Sequence, residues 1–184
     1  KNGGSDKIHA AVLRRSPRIG LTPPLRANDD ALRRIYNKKI VMRHIPFLCG
    51  MDDEAWTERR ERHRKEFEEG TSWMVEVIDL KSSRVIGGSG FRTVDRHKSE
   101  AEWGIVLDDT FQRQGLATEA LNLCAAHAFE VLKVKTLSAN TTRTNTPMTR
   151  FFEKHRFKRG PVHRDDHGEW VRFETALPRL PHCS

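Results

Sequence analysis

Cysteine is scarce in this chain: Cys49, Cys124 and Cys183 are the only three in 184 residues. They are odd in number, far apart and without C-x-x-C spacing, which argues against a disulfide framework and against a zinc site. Long apolar runs are missing as well. Nothing approaches the roughly 18 residues of a membrane span, and no secretory apolar segment opens the sequence. A soluble protein of a reducing, cytoplasmic compartment is expected. Tyrosine is almost absent, with Tyr36 alone, and the aromatic residues are not interleaved with basic ones as a base-stacking platform requires. No recognition-helix or zinc-finger pattern occurs, so specific nucleic-acid binding is not expected.

What the chain has instead is positive charge. Lys plus Arg total 33 against 25 Asp plus Glu, a formal net charge of +8, and the resulting field attracts anionic ligands of any class. Much of the charge lies in one run, Asp52 to Glu69. There Glu58/Arg62, Glu61/Lys65, Arg64/Glu68 and Lys65/Glu69 are spaced i,i+4, the pattern of a solvated helix face. The length suits one domain, which buries roughly 70% of its unfolded surface and needs no staple.

Residues 1–15, with Gly3-Gly4-Ser5, read as a flexible flank, and the basic run Arg14 to Arg18 as a solvated approach to the domain in preference to a tail contacting anions. The domain is placed at 16–178 and a tail at 179–184. Ile19 to Leu21 predicts a short strand, and Asn28-Asp29-Asp30 offers caps for a helix through about Asn37. Ile40 to Gly50 reads as a loop. In the charged helix that follows, Trp56 and Phe67 lie three turns apart and face inward. Ser72 to Asp79, Val85 to Arg92 and Ser99 to Leu107 predict an antiparallel meander, in which Gly87, Gly88 and Gly90 mark a bend or a close backbone approach. Leu116, Ala120, Leu123, Cys124 and Val131 share one helical face, with His127 as a core or boundary histidine. Val134 to Ala139 predicts a strand and Pro147 to Lys154 a helix. Phe157 to Val162 and Trp170 to Leu177 predict a closing hairpin, so that the whole reads as one α+β domain.

The chemistry points to one segment. A strand ending in Ile105-Val106-Leu107 is followed by a turn and then by small residues that open a helix. A helix start carries unpaired N–H groups and the positive dipole end, and small residues let a phosphate approach them. Gly115 and Ala117 supply the clearance, the lesser reading of Gly115 being close helix-on-strand packing. Nucleotide hydrolysis is disfavoured, because Leu116-Ala117-Thr118 stands where a phosphate loop needs Lys and Ser or Thr.

Gln112-Arg113-Gln114-Gly115-Leu116-Ala117 resembles the pyrophosphate signature of the GNAT acetyltransferase superfamily, Gln/Arg-x-x-Gly-x-Gly/Ala, at every fixed position. Ala101-Glu102-Trp103-Gly104, Thr118-Glu119-Ala120, Asn145 and Glu153-Lys154 are similar to its Rim-type branch, whose named members acetylate protein N-termini. The likeness covers about residues 16–177. It implies a mixed, mostly antiparallel twisted sheet of about six to seven strands flanked by about four helices. It also implies acetyl-CoA as acyl donor, no metal, and transfer to a primary amine by direct attack in a ternary complex. The acceptor would be a peptide or protein N-terminus or a small molecule, and the protein a monomer or homodimer.

Carried over residue by residue, Ile105, Val106 and Leu107 would line the pantetheine arm. The main chain of Arg113, Gln114, Gly115, Leu116, Ala117 and Thr118, opened by Gln112, would hold the pyrophosphate. Asn145 would reach the arm, or else act as a helix N-cap. An α-amine with a pKa near 8 needs a base. Glu102 matches the glutamate of the Ala-Glu-x-Gly pattern, with Glu100 two residues away on the same face; the other reading of Glu102 is a strand carboxylate paired with a cation. Three positions depart from the family. Met148 stands where a serine is usual, no tyrosine follows Asn145, and Lys154-His155-Arg156-Phe157 replaces Lys-x-Gly-Phe. These departures leave a CoA-binding regulatory protein without efficient turnover as the alternative.

Overall fold

Period-two apolar runs from 73 to 107 build the centre of a single eight-stranded sheet. The computed structural model describes residues 9–177; Gly3-Gly4-Ser5, Cys183 and the tail 179–184 lie outside the described residues. The strands are β1 (Arg14–Arg15), β2 (Ile19–Thr22), β3 (Trp73–Asp79), β4 (Arg84–Asp95), β5 (Glu100–Leu107), β6 (Thr136–Thr142), β7 (Lys158–Asp165) and β8 (Gly168–Ala176). Their order across the sheet is β1-β2-β3-β4-β5-β6-β8-β7. Every neighbouring pair is antiparallel except β5 with β6. The helices are α1 (Asp29–Tyr36), α2 (Lys39–Met42), α3 (Asp53–Glu69), α4 (Leu116–Glu130) and α5 (Thr146–Lys154).

The α+β class and the mostly antiparallel sheet agree with expectation, while the element count is higher by one strand or more and by one helix. Arg14–Arg15 pairs with Leu21 and Gly20 of β2, and two residues leave no periodic signal to read. Lys39–Met42 forms one helical turn inside the predicted loop, too short to show a face.

Alternation along the strands divides the core between two faces. On one, Trp73, Val75, Phe91, Ala101, Trp103 and Leu137 pack under α4 and α5; on the other, Leu32, Tyr36, Met42 and Trp56 from α1, α2 and α3 cover Ile78 and Val85. Phe91, Phe152, Phe173, Ile19 and Leu21 are fully buried, each large apolar side chain contributing about 1.5–3 kcal/mol. Val131, expected on the inner face of α4, is 56% exposed because the helix has ended one residue earlier. His127 stacks on Trp73 at 3.9 Å, and burial holds its pKa down at about 4, the boundary histidine expected. Gly90 takes φ 120°, and a Cβ there would collide with the Trp73 carbonyl, which is the close approach its position foretold.

The charged helix α3 differs from a solvated face. Among the described residues only Lys65–Glu69, at 3.8 Å, forms of the four expected i,i+4 pairs. Arg60 is 5% exposed and reaches across to Glu76 of β3 and, at 2.6 Å, to Asp29 of α1; Arg64 meets Asp29 at 3.0 Å. Asn28 and the Leu25 N–H also bind the Glu76 carboxylate. Tertiary carboxylates outcompete the helix's own because a buried cation must be paired.

Burial pushes Glu76 up to about 7, with Arg60 beside it pulling the other way. A carboxyl whose folded pKa lies above its unfolded value stabilises the fold at low pH, and that contribution is lost as pH rises through about 7. Arg60→Met removes the pull of the cation. The variant is expected to lose about 3–5 kcal/mol near pH 8, and distinctly less near pH 5, where Glu76 is protonated. Denaturant unfolding at the two pH values measures it.

Candidate active site

β5 and β6 run parallel for only three paired residues, Glu100 with Thr136, Ala101 with Leu137 and Glu102 with Ser138. Beyond that point β6 stays with β8, pairing Ala139 through Thr142 with Phe173 through Trp170. The edge of β5 from Trp103 to Leu107 that faces β6 is therefore left without a strand partner, and apart from the Leu107 carbonyl, which Gln112 occupies, its main-chain groups can take an extended ligand as a strand takes a neighbour. Aromatic rings fill the α5 side of the gap. Phe151 lies 5.9 Å and Phe152 6.1 Å from Trp103, and Phe152 lies 5.0 Å from Phe173 of β8. On the other face Glu102, Gly104 and Val106 share one side of β5. A Cβ at Gly104 would meet nothing within 4 Å.

From Leu107 the chain turns through Asp108 and a short 3-10 turn, Asp109–Phe111, into α4. Gln112 fixes this turn by donating its Nε2 hydrogen to the Leu107 carbonyl at 2.9 Å. Arg113 takes φ 59° and Gly115 φ 82°, and Gly115 caps α4 without a side-chain bond. No group among the described residues accepts from the N–H of Arg113, Gln114, Gly115, Leu116 or Ala117. Five consecutive free donors at the positive end of a 15-residue helix form a backbone nest for an anion. Close helix-on-strand packing is not what Gly115 serves, since a Cβ there would approach only Arg18 Nη2, at 3.3 Å.

Arg18 is the residue that sequence reasoning left on a solvated approach. Its Nη1 donates to the Gln114 carbonyl at 2.8 Å, and its guanidinium pairs with Glu119 one turn into α4. Ser16 donates to the same carboxylate. The turn between β1 and β2 thus braces the nest and adds a cation beside it. Thr118 is tied from the far side, its Oγ1 lying 3.0 Å from Nε2 of His155. His155 is 6% exposed, and burial, with Lys154 next to it, keeps its pKa below the usual value. The replaced Lys-x-Gly-Phe motif was the only trace of it in the sequence. Arg156 takes the left-handed φ of 62° in place of the usual glycine.

Glu102 accepts two hydrogen bonds of 2.8 Å from Arg92 Nη2 and one of 3.0 Å from Asn140 Nδ2. Its side chain is 19% exposed. Glu100 is held by Arg172 at 2.6 Å and Ser138 at 2.8 Å. Burial alone would raise its pKa, but those two donors outweigh it and the carboxyl sits below the usual value. Asn145 caps α5, accepting from Met148 N–H at 3.3 Å and donating to Thr141 Oγ1 at 2.9 Å. Across the open face the 40–50 loop meets the final hairpin, with Phe47 stacked on His167 at 3.9 Å and edge-on to Trp170 at 6.2 Å.

A family model described as an acetyltransferase (GNAT) domain matches residues 18–158. The chain belongs to the GNAT acetyltransferase family. Solved structures of this fold agree. A RimL ribosomal L7/L12 α-N-protein acetyltransferase in complex with coenzyme A superposes with a TM-score of 0.79 at 13% identity, covering 91% of this chain and 99% of that one. A spermidine N-acetyltransferase from Vibrio cholerae in complex with CoA and spermine gives 0.75 at 15% identity, covering 89% and 98%. The microcin C7 self-immunity acetyltransferase, in complex with acetyl-CoA and AMP, gives 0.75 at 14%, covering 88% and 94%. In this GNAT domain the signature segment, the splayed strands and the nest coincide on one site.

The left-handed backbone at Gly115 gives a stability prediction independent of any ligand. Gly115→Ala forces an L side chain to φ 82° and is expected to cost about 1–2 kcal/mol. A shift of the urea midpoint, with unchanged slope, measures it.

Proposed function

We propose that the protein transfers the acetyl group of acetyl-CoA to a primary amine, by direct attack in a ternary complex. The observation that carries this reading is the run of free N–H groups from Arg113 to Ala117 at the end of the unpaired β5 edge. Main-chain groups of Ile105, Val106 and Leu107 bind the pantetheine arm as a strand. The nest from Arg113 to Ala117, shaped by Gln112 and held in place at Thr118, receives the pyrophosphate. Asn145, whose amide gives one of its two hydrogens to Thr141, positions the start of α5 beside the arm. No covalent enzyme intermediate is invoked. Cys124, buried on the inner face of α4, is pushed up to about 12 by burial and is no nucleophile at neutral pH.

The amine enters from the face of Glu102 and Gly104, between the 40–50 loop and the β7–β8 hairpin. Its lone pair attacks the thioester carbonyl carbon, the C–N bond forms, and the C–S bond breaks with its electrons on sulfur. Glu102 takes the proton the nitrogen sheds, directly or through one water, with Arg92 and Asn140 holding its carboxylate in place. The named activities of the neighbours, on a ribosomal protein N-terminus and on a polyamine, support a peptide α-amine and a small amine equally. A CoA-binding regulatory protein without turnover is the second reading. What favours it is that both Glu102 oxygens already have donors and that Met148 brings no hydroxyl to the start of α5.

Acetyl-CoA is expected to raise the melting temperature, by the equivalent of about 2.7 kcal/mol at a hundredfold excess over Kd, and ATP much less. Gly115→Glu places bulk and negative charge in the nest and is expected to abolish acetyl-CoA binding in a folded protein. Calorimetry on both proteins decides it, and unchanged affinity in the variant rejects the assignment. CoA release across a panel of amines and peptides then separates an enzyme from a binder.

Glu102→Gln is expected to lower kcat/KM about 10²-fold at neutral pH while acetyl-CoA still binds. The defect should shrink toward pH 9, where an amine of pKa near 8 has already lost its proton. A loss that is equal at every pH and joined to a lower Tm assigns Glu102 a structural role instead.

A further inference from the structure

Both ends of the segment that opens α4 are tied down. On one side Gln112 donates to the Leu107 carbonyl at 2.9 Å, and Gln114 Nε2 donates to the Thr110 carbonyl at 2.8 Å. On the other, the N–H groups of Thr118 and Glu119 donate to the Gly115 carbonyl at 3.0 and 3.3 Å. Between them lies the peptide that joins Gln114 to Gly115. Its plane turns with two angles, ψ of Gln114 and φ of Gly115, and glycine accepts either sign of φ. The residue that permits φ 82° at this point therefore also makes rotation of the peptide cheap.

The direction in which that peptide faces matters to an anion. In a planar trans peptide the carbonyl and the following N–H point to opposite sides. The Gln114 carbonyl faces Arg18, whose Nη1 donates to it at 2.8 Å. The Gly115 N–H consequently points away from Arg18, and it has no acceptor among the described residues. Turned over, the same peptide presents a carbonyl oxygen where an anion needs a donor.

Arg18 is itself anchored. Its Nε donates to Glu119 Oε1 at 2.5 Å, Ser16 donates to the other oxygen of that carboxylate, and the Arg18 carbonyl accepts from the Leu80 N–H at 2.9 Å. Nη2 lies 3.3 Å from the place a Cβ on Gly115 would take, so the guanidinium rests directly against the residue about which the peptide would turn. A planar fork of donors can hold a carboxylate and a carbonyl at once.

We propose that Arg18 is a positioning residue of the cofactor site, locking the Gln114–Gly115 peptide with its N–H turned toward the pyrophosphate. This rests on the acetyl-CoA reading of the site. It gives the β1–β2 turn, 96 positions before Gln114, a part in binding that the signature segment does not contain. Without the lock, a turned-over form that prevails by about ten to one lowers the apparent affinity by the same factor.

The Gly115 amide of full-length, 15N-labelled protein reports the peptide directly. In the wild type it is expected to give one sharp resonance. Arg18→Met is expected to broaden it by exchange, with sharpness regained on saturation with acetyl-CoA, and to raise the acetyl-CoA Kd measured by calorimetry about tenfold. The Arg18 side chain is 50% exposed, so the variant is expected to fold, which melting curves check. Glu119→Ala separates a lock from a charge and carries the test alone if Arg18→Met does not fold. A cation acting only by its charge binds a pyrophosphate as tightly or more tightly once its carboxylate partner is gone, whereas a lock without its anchor binds it about threefold or more weakly. An unchanged Kd or a sharp Gly115 resonance in folded Arg18→Met, or equal or tighter binding by Glu119→Ala, overturns the role of Arg18 and leaves the acetyl-CoA reading standing. Failure of the wild type to bind acetyl-CoA overturns both.

Discussion

The early separation of β5 from β6 is the constraint on which the rest of the structure depends. Two parallel neighbours would ordinarily pair along their length, and each broken ladder bond must find another partner or water. Here β6 exchanges β5 for β8 after Ser138, and α5 supplies Phe151 and Phe152 as packing between Trp103 and Phe173. The wedge keeps a row of backbone donors and acceptors unsatisfied within a buried sheet. Such a row can pair with an extended chain-like ligand, and the free N–H groups at the start of α4 stand at its end.

Electrostatics divides in the same way between support and site. Deep in the α1–α3 layer, Arg60, Asp29, Glu76 and Asn28 form a closed network whose charges satisfy one another. It fixes the layer over the sheet and leaves nothing for a ligand. At the nest the balance is reversed. Five N–H groups have no acceptor among the described residues, Arg18 donates to the Gln114 carbonyl beside them, and the Glu119 carboxylate is already bound by Arg18 and Ser16.

The meander, the long helix α4 and the final hairpin were legible because period-two and period-3.6 patterns reflect neighbours only a few residues away. The same holds for the signature: the need for a left-handed residue at the start of α4 shows as Gly115, and a helix N-cap shows as Asn145. Misjudged features were those decided by distant partners. Arg18 and Glu119 are 101 positions apart, so no local pattern joins them. The charged helix had i,i+4 pairs on offer, yet Arg60 and Arg64 turn to carboxylates on α1 and β3. His155 gave only the trace of a displaced glycine.

By itself the sequence determined most element types and the α+β class, and it marked the segment proposed to hold an anion, because each follows from backbone conformations and side-chain periodicities set within about ten residues. Tertiary structure alone decided where β5 parts from β6, which donors hold Glu102 and Glu100, and that Arg18 meets the Gln114 carbonyl. These depend on the register between strands and on helix packing across the sheet. Register and packing are settled by which of many competing long-range contacts bury the most apolar surface while pairing every charge, a choice no short stretch of residues contains.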